Sequence, residues 1–124
     1  MRKHLLIILI PGILVWACGR FTTEEKAELA RGSEVYLTHC VSCHGTEGDG
    51  LQGAYPTLLK PVIAKANTDR AIHLIRVGSG IEGGMKPIAL TDKELVEVVN
   101  YIQNTWGNES PFITETTVQE LANK

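Results

Sequence analysis

The chain has 124 residues, of which 12 are Lys or Arg and 14 are Asp or Glu, giving a formal net charge of −2. This length allows one small domain, and no basic patch of the kind that binds nucleic acid is present. Aromatic residues make up only 6% of the chain, so the side chains alone would build a small core.

The N-terminal segment has the pattern of an export signal. Arg2 and Lys3 precede an apolar run from Leu5 to Ala17, which is shorter than the roughly 20 residues of a membrane-spanning helix. The run ends in "VWAC", which resembles the lipobox of bacterial lipoproteins, where cleavage precedes a cysteine that then carries lipid. We expect cleavage after residue 17, lipid on Cys18, and a location in the periplasm or on the outer face of a bacterial membrane. The alternative is an uncleaved anchor.

The first predicted helix leads into a cysteine motif. Thr22 and Glu25 have the spacing of a capping box, in which each side chain accepts a hydrogen bond from the other's backbone N–H. Apolar residues then recur at helical spacing as far as Cys40. Gly32 lies in mid-helix, where it costs about 1 kcal/mol relative to Ala. That cost is explained if another helix crosses closely at this point.

The apolar pattern and the capping residues predict two further helices. One runs from about Thr68 to Val77, and the other opens at Thr91 and ends at Gly107. The pattern also suggests a helical turn over residues 57–64 and a short helix within 116–124. No stretch alternates with a period of two, so the predicted fold class is all-α, with three to five helices.

Long glycine-rich loops separate these helices. The stretches "GTEGDGLQGAYP" and "GSGIEGGMKP" are too rich in glycine and proline for regular structure. Loops of this length are unusual in a compact domain unless they are functional. A large apolar cofactor would supply the core that the side chains lack.

The stretch Cys40-Val41-Ser42-Cys43-His44 matches the attachment motif of c-type haem. Two cysteines three apart on a helical turn can each form a thioether with one vinyl group of the porphyrin. The histidine that follows lies under the iron and supplies a nitrogen ligand. The pattern therefore predicts one covalently bound haem c, with His44 as an iron ligand.

Other uses of two such cysteines fit less well. A redox dithiol requires the pair at the start of a helix in a βαβ unit, whereas here it follows a helix and no strand is predicted. A structural zinc site requires four ligands. Only His39 and His73 remain as additional nitrogen donors, and a disulfide across two residues would be strained.

The second axial ligand is predicted to be Met85. His39 adjoins Cys40 on the attachment side, and His73 has the mixed surroundings of a half-exposed histidine. Met85 lies in the second glycine-rich loop, a poor place for a methionine that only fills a core gap. A His/Met pair leaves no open position on the iron and raises the reduction potential, which favours electron transfer over catalysis.

The combination of "GSEVYLTHCVSCHGTEGDG", "YPTL" and "GGMKPIALTDKELVEVVNYIQNTWGN" resembles the class I monohaem bacterial cytochromes c. The closing "NTWGN" is similar to the cytochrome c domains associated with terminal oxidases and copper nitrite reductases. The resemblance implies the small cytochrome c fold, wrapped around one haem. It also implies that the Pro56 carbonyl accepts the ring N–H of His44, and that Gly32 and Tyr36 lie where the first helix crosses the last, near Tyr101.

The predicted organisation is a signal peptide (1–17), a linker (18–24), a cytochrome c domain (25–108) and a C-terminal extension (109–124). The predicted function is electron transfer without an enzymatic activity or a small-molecule substrate of its own. The resemblance implies a quinol-oxidising complex as electron donor and a terminal oxidase, or a nitrite or N-oxide reductase, as electron acceptor. We expect the lipid to hold the protein at the membrane. The alternatives are a fixed haem subunit of a respiratory complex, or a peroxidase or gas sensor whose Met85 dissociates.

Overall fold

The computed structural model describes residues 19–59 and 68–122. These ranges form five helices and, apart from one isolated bridge between Leu51 and Tyr55, no β-structure. The helices are α1 (Thr23–His39), α2 (Val41–His44), α3 (Thr68–Val77), α4 (Asp92–Asn104) and α5 (Glu115–Ala122). The prediction of an all-α fold is confirmed.

Several expectations lie outside the described residues. They are the signal peptide, the lipid on Cys18, most of the turn predicted over 57–64 and the last two residues of the short helix predicted within 116–124. In the part of the chain that the structure covers, none of the helices combines the length and the apolar character that crossing a membrane requires.

Helices α1 and α4 begin at the predicted capping boxes. The Thr22 hydroxyl accepts from the Glu25 N–H at 3.1 Å, and the Glu25 carboxylate accepts from the Thr22 N–H at 2.8 Å. Thr91 and Glu94 repeat this arrangement at 3.2 and 2.8 Å. Each box satisfies two backbone N–H groups that a helix terminus leaves without an intrahelical partner, so both starts were predictable.

Helices α1 and α4 cross with their backbones in contact. A Cβ on Gly32 would lie 2.1 Å from the carbonyl oxygen of Glu97 and 2.8 Å from the Cβ of Tyr101. Only glycine permits this approach, which confirms the close helix crossing inferred from its position. Beside the crossing, Arg31 donates to the Glu97 carboxylate at 2.5 Å.

The buried core is centred on α4. Its apolar members include Tyr36, Ile72, Ile75, Leu95, Val98, Val99, Ile102 and Val118. The face of α4 that carries polar side chains is buried as well: Glu97, Asn100, Gln103 and Asn104 are all 5% exposed or less. Other parts of the chain therefore pack against the polar side of α4 as well as against its apolar side.

The C-terminal segment accounts for part of this cover. The Asn100 amide donates to the Ile113 carbonyl at 3.0 Å and accepts from the Ile113 N–H at 2.9 Å. One side chain thus satisfies both backbone groups of a residue that follows α4. Val118 of α5 is then completely buried in the core, so the segment packs as an integral part of the fold.

The end of α4 differs from the prediction. The apolar spacing predicted a helix through Trp106 to Gly107, but α4 ends at Asn104. Thr105 adopts extended backbone, and Trp106 has a positive φ of 51°. This turn directs the indole ring against the rings of Tyr36 and Tyr101, with centroids 5.1 and 5.4 Å away, so packing rather than helix continuation decides its conformation.

Candidate functional site

The cysteine motif forms one helical turn directly after α1. The N–H groups of Cys43 and His44 both donate to the Cys40 carbonyl, at 3.2 and 2.9 Å. Both cysteines are free thiols; Cys40 is buried and Cys43 is half-buried. Burial, together with the neighbouring Cys43, raises the pKa of the Cys40 thiol to about 11. The turn places two thiols and an imidazole side by side.

The loop after His44 folds back onto the histidine. The Gly50 N–H donates to the His44 carbonyl at 2.9 Å. Gly50 has a φ of 70°, and a Cβ there would lie 2.7 Å from the Pro56 carbonyl oxygen. Glycine at this position therefore allows Pro56 to approach closely.

The His44 ring is oriented by that approach. Its Nδ1 atom lies 3.0 Å from the carbonyl oxygen of Pro56. A carbonyl only accepts hydrogen bonds, so in the neutral ring Nδ1 carries the proton and Nε2 has the free lone pair. A backbone carbonyl behind a ligating histidine fixes the tautomer and raises the basicity of the other nitrogen. This is the contact that the family resemblance implies for Pro56.

Aromatic side chains from the helix crossing pack against the same loop. The Tyr36 hydroxyl donates to the Gly45 carbonyl at 2.7 Å, and burial raises the pKa of Tyr36. A Cβ on Gly48 would lie 2.6 Å from the Trp106 ring. The sequence placed Tyr36 at the helix crossing but did not reveal its contact with Gly45. The structure explains the contact: Tyr36 is completely buried, and a buried hydroxyl requires a hydrogen-bond partner.

Asn108 is a further positioning residue that the sequence did not indicate. Its side chain is completely buried and donates to the Leu58 carbonyl at 2.9 Å and to the Ile102 carbonyl at 2.8 Å. Arg20 donates to the Asn108 carbonyl at 2.7 Å. Asn108 therefore links the end of the His44 loop to α4 and to the N-terminal segment.

Met85 packs against the buried core. It is half-buried and packs against the buried cluster that contains Cys40, as do Val41 and Leu58. His39 and His73 are exposed instead. The structure thus places Met85 against the core and leaves His39 and His73 at the surface.

The chain matches a known protein family. Residues 27–102 match the family described as cytochrome c oxidase, cbb3-type, subunit III. The chain belongs to this cytochrome c family. The match runs from within α1 to within α4, and therefore includes the cysteine motif, Pro56 and Met85. Membership implies electron transfer, with haem c as the cofactor.

The relatives of this cytochrome are cytochrome c proteins of two sizes. It is 28% identical over 102 residues to the cytochrome c subunit of a quinone-dependent alcohol dehydrogenase from Gluconobacter oxydans, covering 73% of the chain and 21% of the relative. It is 29% identical over 89 residues to the cytochrome c subunit of gluconate 2-dehydrogenase from Pantoea cypripedii, covering 62% and 20%. The chain thus spans about a fifth of these subunits.

A smaller relative is similar in length to the cytochrome. The chain is 28% identical over 115 residues to cytochrome c-552 of Thermus thermophilus, and the similarity covers 77% of the chain and 87% of that protein. This relative extends the similarity beyond the family match, because most of a single small cytochrome is aligned.

The described residues fit a haem c in the chemistry of their donors. Free thiols at Cys40 and Cys43 are the groups that thioether attachment consumes. The His44 Nε2 is available because Nδ1 faces Pro56, and the Met85 thioether is a soft, neutral donor that suits ferrous iron.

Proposed function

We propose that this cytochrome is an exported, lipid-anchored electron carrier that holds one haem c through Cys40 and Cys43, with His44 and Met85 as axial ligands. A haem with both axial positions filled supplies one-electron oxidation and reduction. The observation that carries the proposal is the 3.0 Å contact between His44 Nδ1 and the Pro56 carbonyl. It leaves Nε2 as the donor nitrogen, beside two free thiols.

The chain's own residues would keep the site rigid during electron transfer. The Pro56 carbonyl fixes the imidazole tautomer, and the Tyr36 hydroxyl holds the peptide that follows His44. Met85 in the second axial position would exclude oxygen and peroxide. A site whose side chains do not rearrange suits weak, transient encounters with redox partners.

A Met85→Ala variant of the haem-loaded protein tests the ligand assignment. We expect loss of the methionine–iron charge-transfer band and a lower reduction potential, because the thioether that favours ferrous iron is gone. Ile81→Ala is the matched control, since Ile81 lies in the same loop with 72% of its surface exposed. An unchanged spectrum in Met85→Ala would overturn the assignment.

The proposed domain organisation has its own test. We propose that residues 1–17 are removed and that lipid on Cys18 holds the domain at a bacterial membrane surface. Intact mass of the native protein reports haem attachment, cleavage and acylation together. A mass that corresponds to the whole 124-residue chain plus haem would contradict both cleavage and acylation.

A second candidate function is a fixed subunit of a respiratory or dehydrogenase complex. Two of the relatives are cytochrome c subunits of dehydrogenases, which favours this candidate over a peroxidase or sensor. Co-purification from detergent-solubilised membranes would distinguish the two roles. A free carrier would separate from its quinol-oxidising donor and from its oxidase or reductase acceptor, whereas a subunit would remain bound.

A further inference from the structure

The segment between α3 and α4, residues 78–91, carries Met85 and is called the Met85 loop below. Three of its glycines, Gly78, Gly80 and Gly83, have positive φ angles of 83°, 69° and 74°. Glycine loses more backbone freedom on ordering than any other residue. The ordered Met85 loop therefore needs contacts that offset this entropy.

Backbone contacts with the end of α3 offset part of this loss of backbone entropy. The Ser79 N–H donates to the Met85 carbonyl at 2.9 Å, and the Ile88 N–H donates to the Ile75 carbonyl at 2.8 Å. A Cβ on Gly78 would lie 2.7 Å from the same Met85 carbonyl oxygen. The main chain of Met85 is thus packed directly against the residues that end α3.

An ion pair joins the two ends of the Met85 loop. Arg76 lies in the last turn of α3, Asp92 is the first residue of α4, and the guanidinium donates to the carboxylate. The side chains are 29% and 36% exposed, so solvent and salt screen the pair less than one on the open surface. Each charge also has the favourable sign for its helix terminus.

We propose that the Arg76–Asp92 ion pair positions Met85 by stabilising the closed Met85 loop. The ion pair holds the C-terminal end of α3 beside the N-terminal end of α4, and therefore opposes any opening of the loop that separates these ends. In the haem-loaded protein, the pair would therefore slow the release of the Met85 thioether. This rests on the proposed function, in which Met85 is the ligand.

The double variant R76Q/D92N provides the sharpest test, because it removes the pair without changing the net charge. In the ferric, haem-loaded protein, the rate of imidazole binding at saturating imidazole reports how fast Met85 dissociates. Hydrogen exchange at the Ser79 and Ile88 amides reports opening of the loop independently of the iron. We expect both to rise about fivefold, the factor that corresponds to about 1 kcal/mol of ion-pair stabilisation.

Two single variants complete the design. Arg70→Gln is the matched control, because Arg70 is an exposed residue of the first turn of α3; we expect both rates to stay unchanged. Arg76→Lys keeps the charge but loses the planar fork of donors, and should give an effect smaller than the double variant.

The outcomes separate this proposal from the assignment of the ligand. If the wild-type protein has the methionine–iron charge-transfer band and R76Q/D92N keeps wild-type rates, the ion-pair proposal is overturned and the ligand stands. If exchange rises equally at amides of α1 and α4, the pair stabilises the whole fold, and its positioning role is overturned. If the wild-type protein lacks the band, both proposals are wrong.

Discussion

Gly32 and Glu97 are in backbone contact across two helices: a Cβ on Gly32 would lie 2.1 Å from the Glu97 carbonyl oxygen. The neighbour is main chain in the middle of α4, which cannot move aside as a flexible side chain could. The helix crossing in turn places Tyr36 and Tyr101 in ring contact, with centroids 5.6 Å apart. Tyr36 then reaches the loop that follows His44.

Gly32→Ala should therefore destabilise the protein although alanine is the better helix former. Helix propensity favours the variant by about 1 kcal/mol, but the added methyl group forces α1 and α4 apart. We expect the free energy of unfolding to fall by about 3 kcal/mol, measured by guanidinium denaturation of the haem-loaded protein. Gly19→Ala is the control, because a Cβ there meets nothing closer than 3.5 Å. Equal stability of Gly32→Ala and wild type would show that the helices can separate without cost.

Tyr36→Phe should lower stability while leaving the haem spectrum intact. The variant keeps the buried ring but removes the hydroxyl that donates to the Gly45 carbonyl at 2.7 Å. Losing a buried hydrogen bond of this kind costs about 1–1.5 kcal/mol, readable from the denaturation midpoint. Tyr55→Phe makes the same chemical change at a position that is 41% exposed, and should shift stability by less than about 0.5 kcal/mol. Similar losses in the two variants would argue against the contact with Gly45.

Glu94 should give the protein a pH-dependent contribution to stability. Hydrogen bonds from the Thr91 backbone N–H and hydroxyl favour the carboxylate and hold the pKa of Glu94 below its usual value. The contribution is then present above the unfolded-state pKa of about 4.3 and is lost as the pH falls through the lower folded-state pKa. Wild type should exceed Glu94→Gln in denaturation midpoint at neutral pH, and this difference should shrink from about pH 4 downwards. A constant difference across this range would show that the carboxylate charge is not involved.

The sequence predicted the elements whose signals are local. The capping residues Thr22 and Thr91 mark the starts of α1 and α4, and Thr68–Val77 is α3 with the predicted bounds. The cysteine motif is local as well, because adjacent residues of one turn carry its chemistry. The mid-helix glycine was informative because it violates helix propensity, and a close crossing explains that violation.

The remainder depends on contacts between distant residues. Apolar spacing assigned Trp106 to α4, because periodicity does not report the turn that the ring needs in order to contact Tyr36. The burial of Asn100 could not be predicted from α4 alone, since its partners are Glu28 and Ile113 on other elements. The Arg76–Asp92 pair had no signal either, because its members belong to separate helices. Polar side chains reveal burial only when their partners are known.

The contact between Arg31 and Glu97 joins residues that are 66 positions apart, and this separation has a consequence for biosynthesis. Contacts between distant residues form late, because the intervening chain must first be ordered. Cys40 and Cys43 precede α4 along the chain, and they are buried or half-buried only in the fold in which α4 packs on α1. We expect both thiols to stay within reach of a haem-attaching enzyme until α4 docks onto α1. If haem is attached as proposed, the docking of α4 would thus mark the end of the period in which the thiols are accessible.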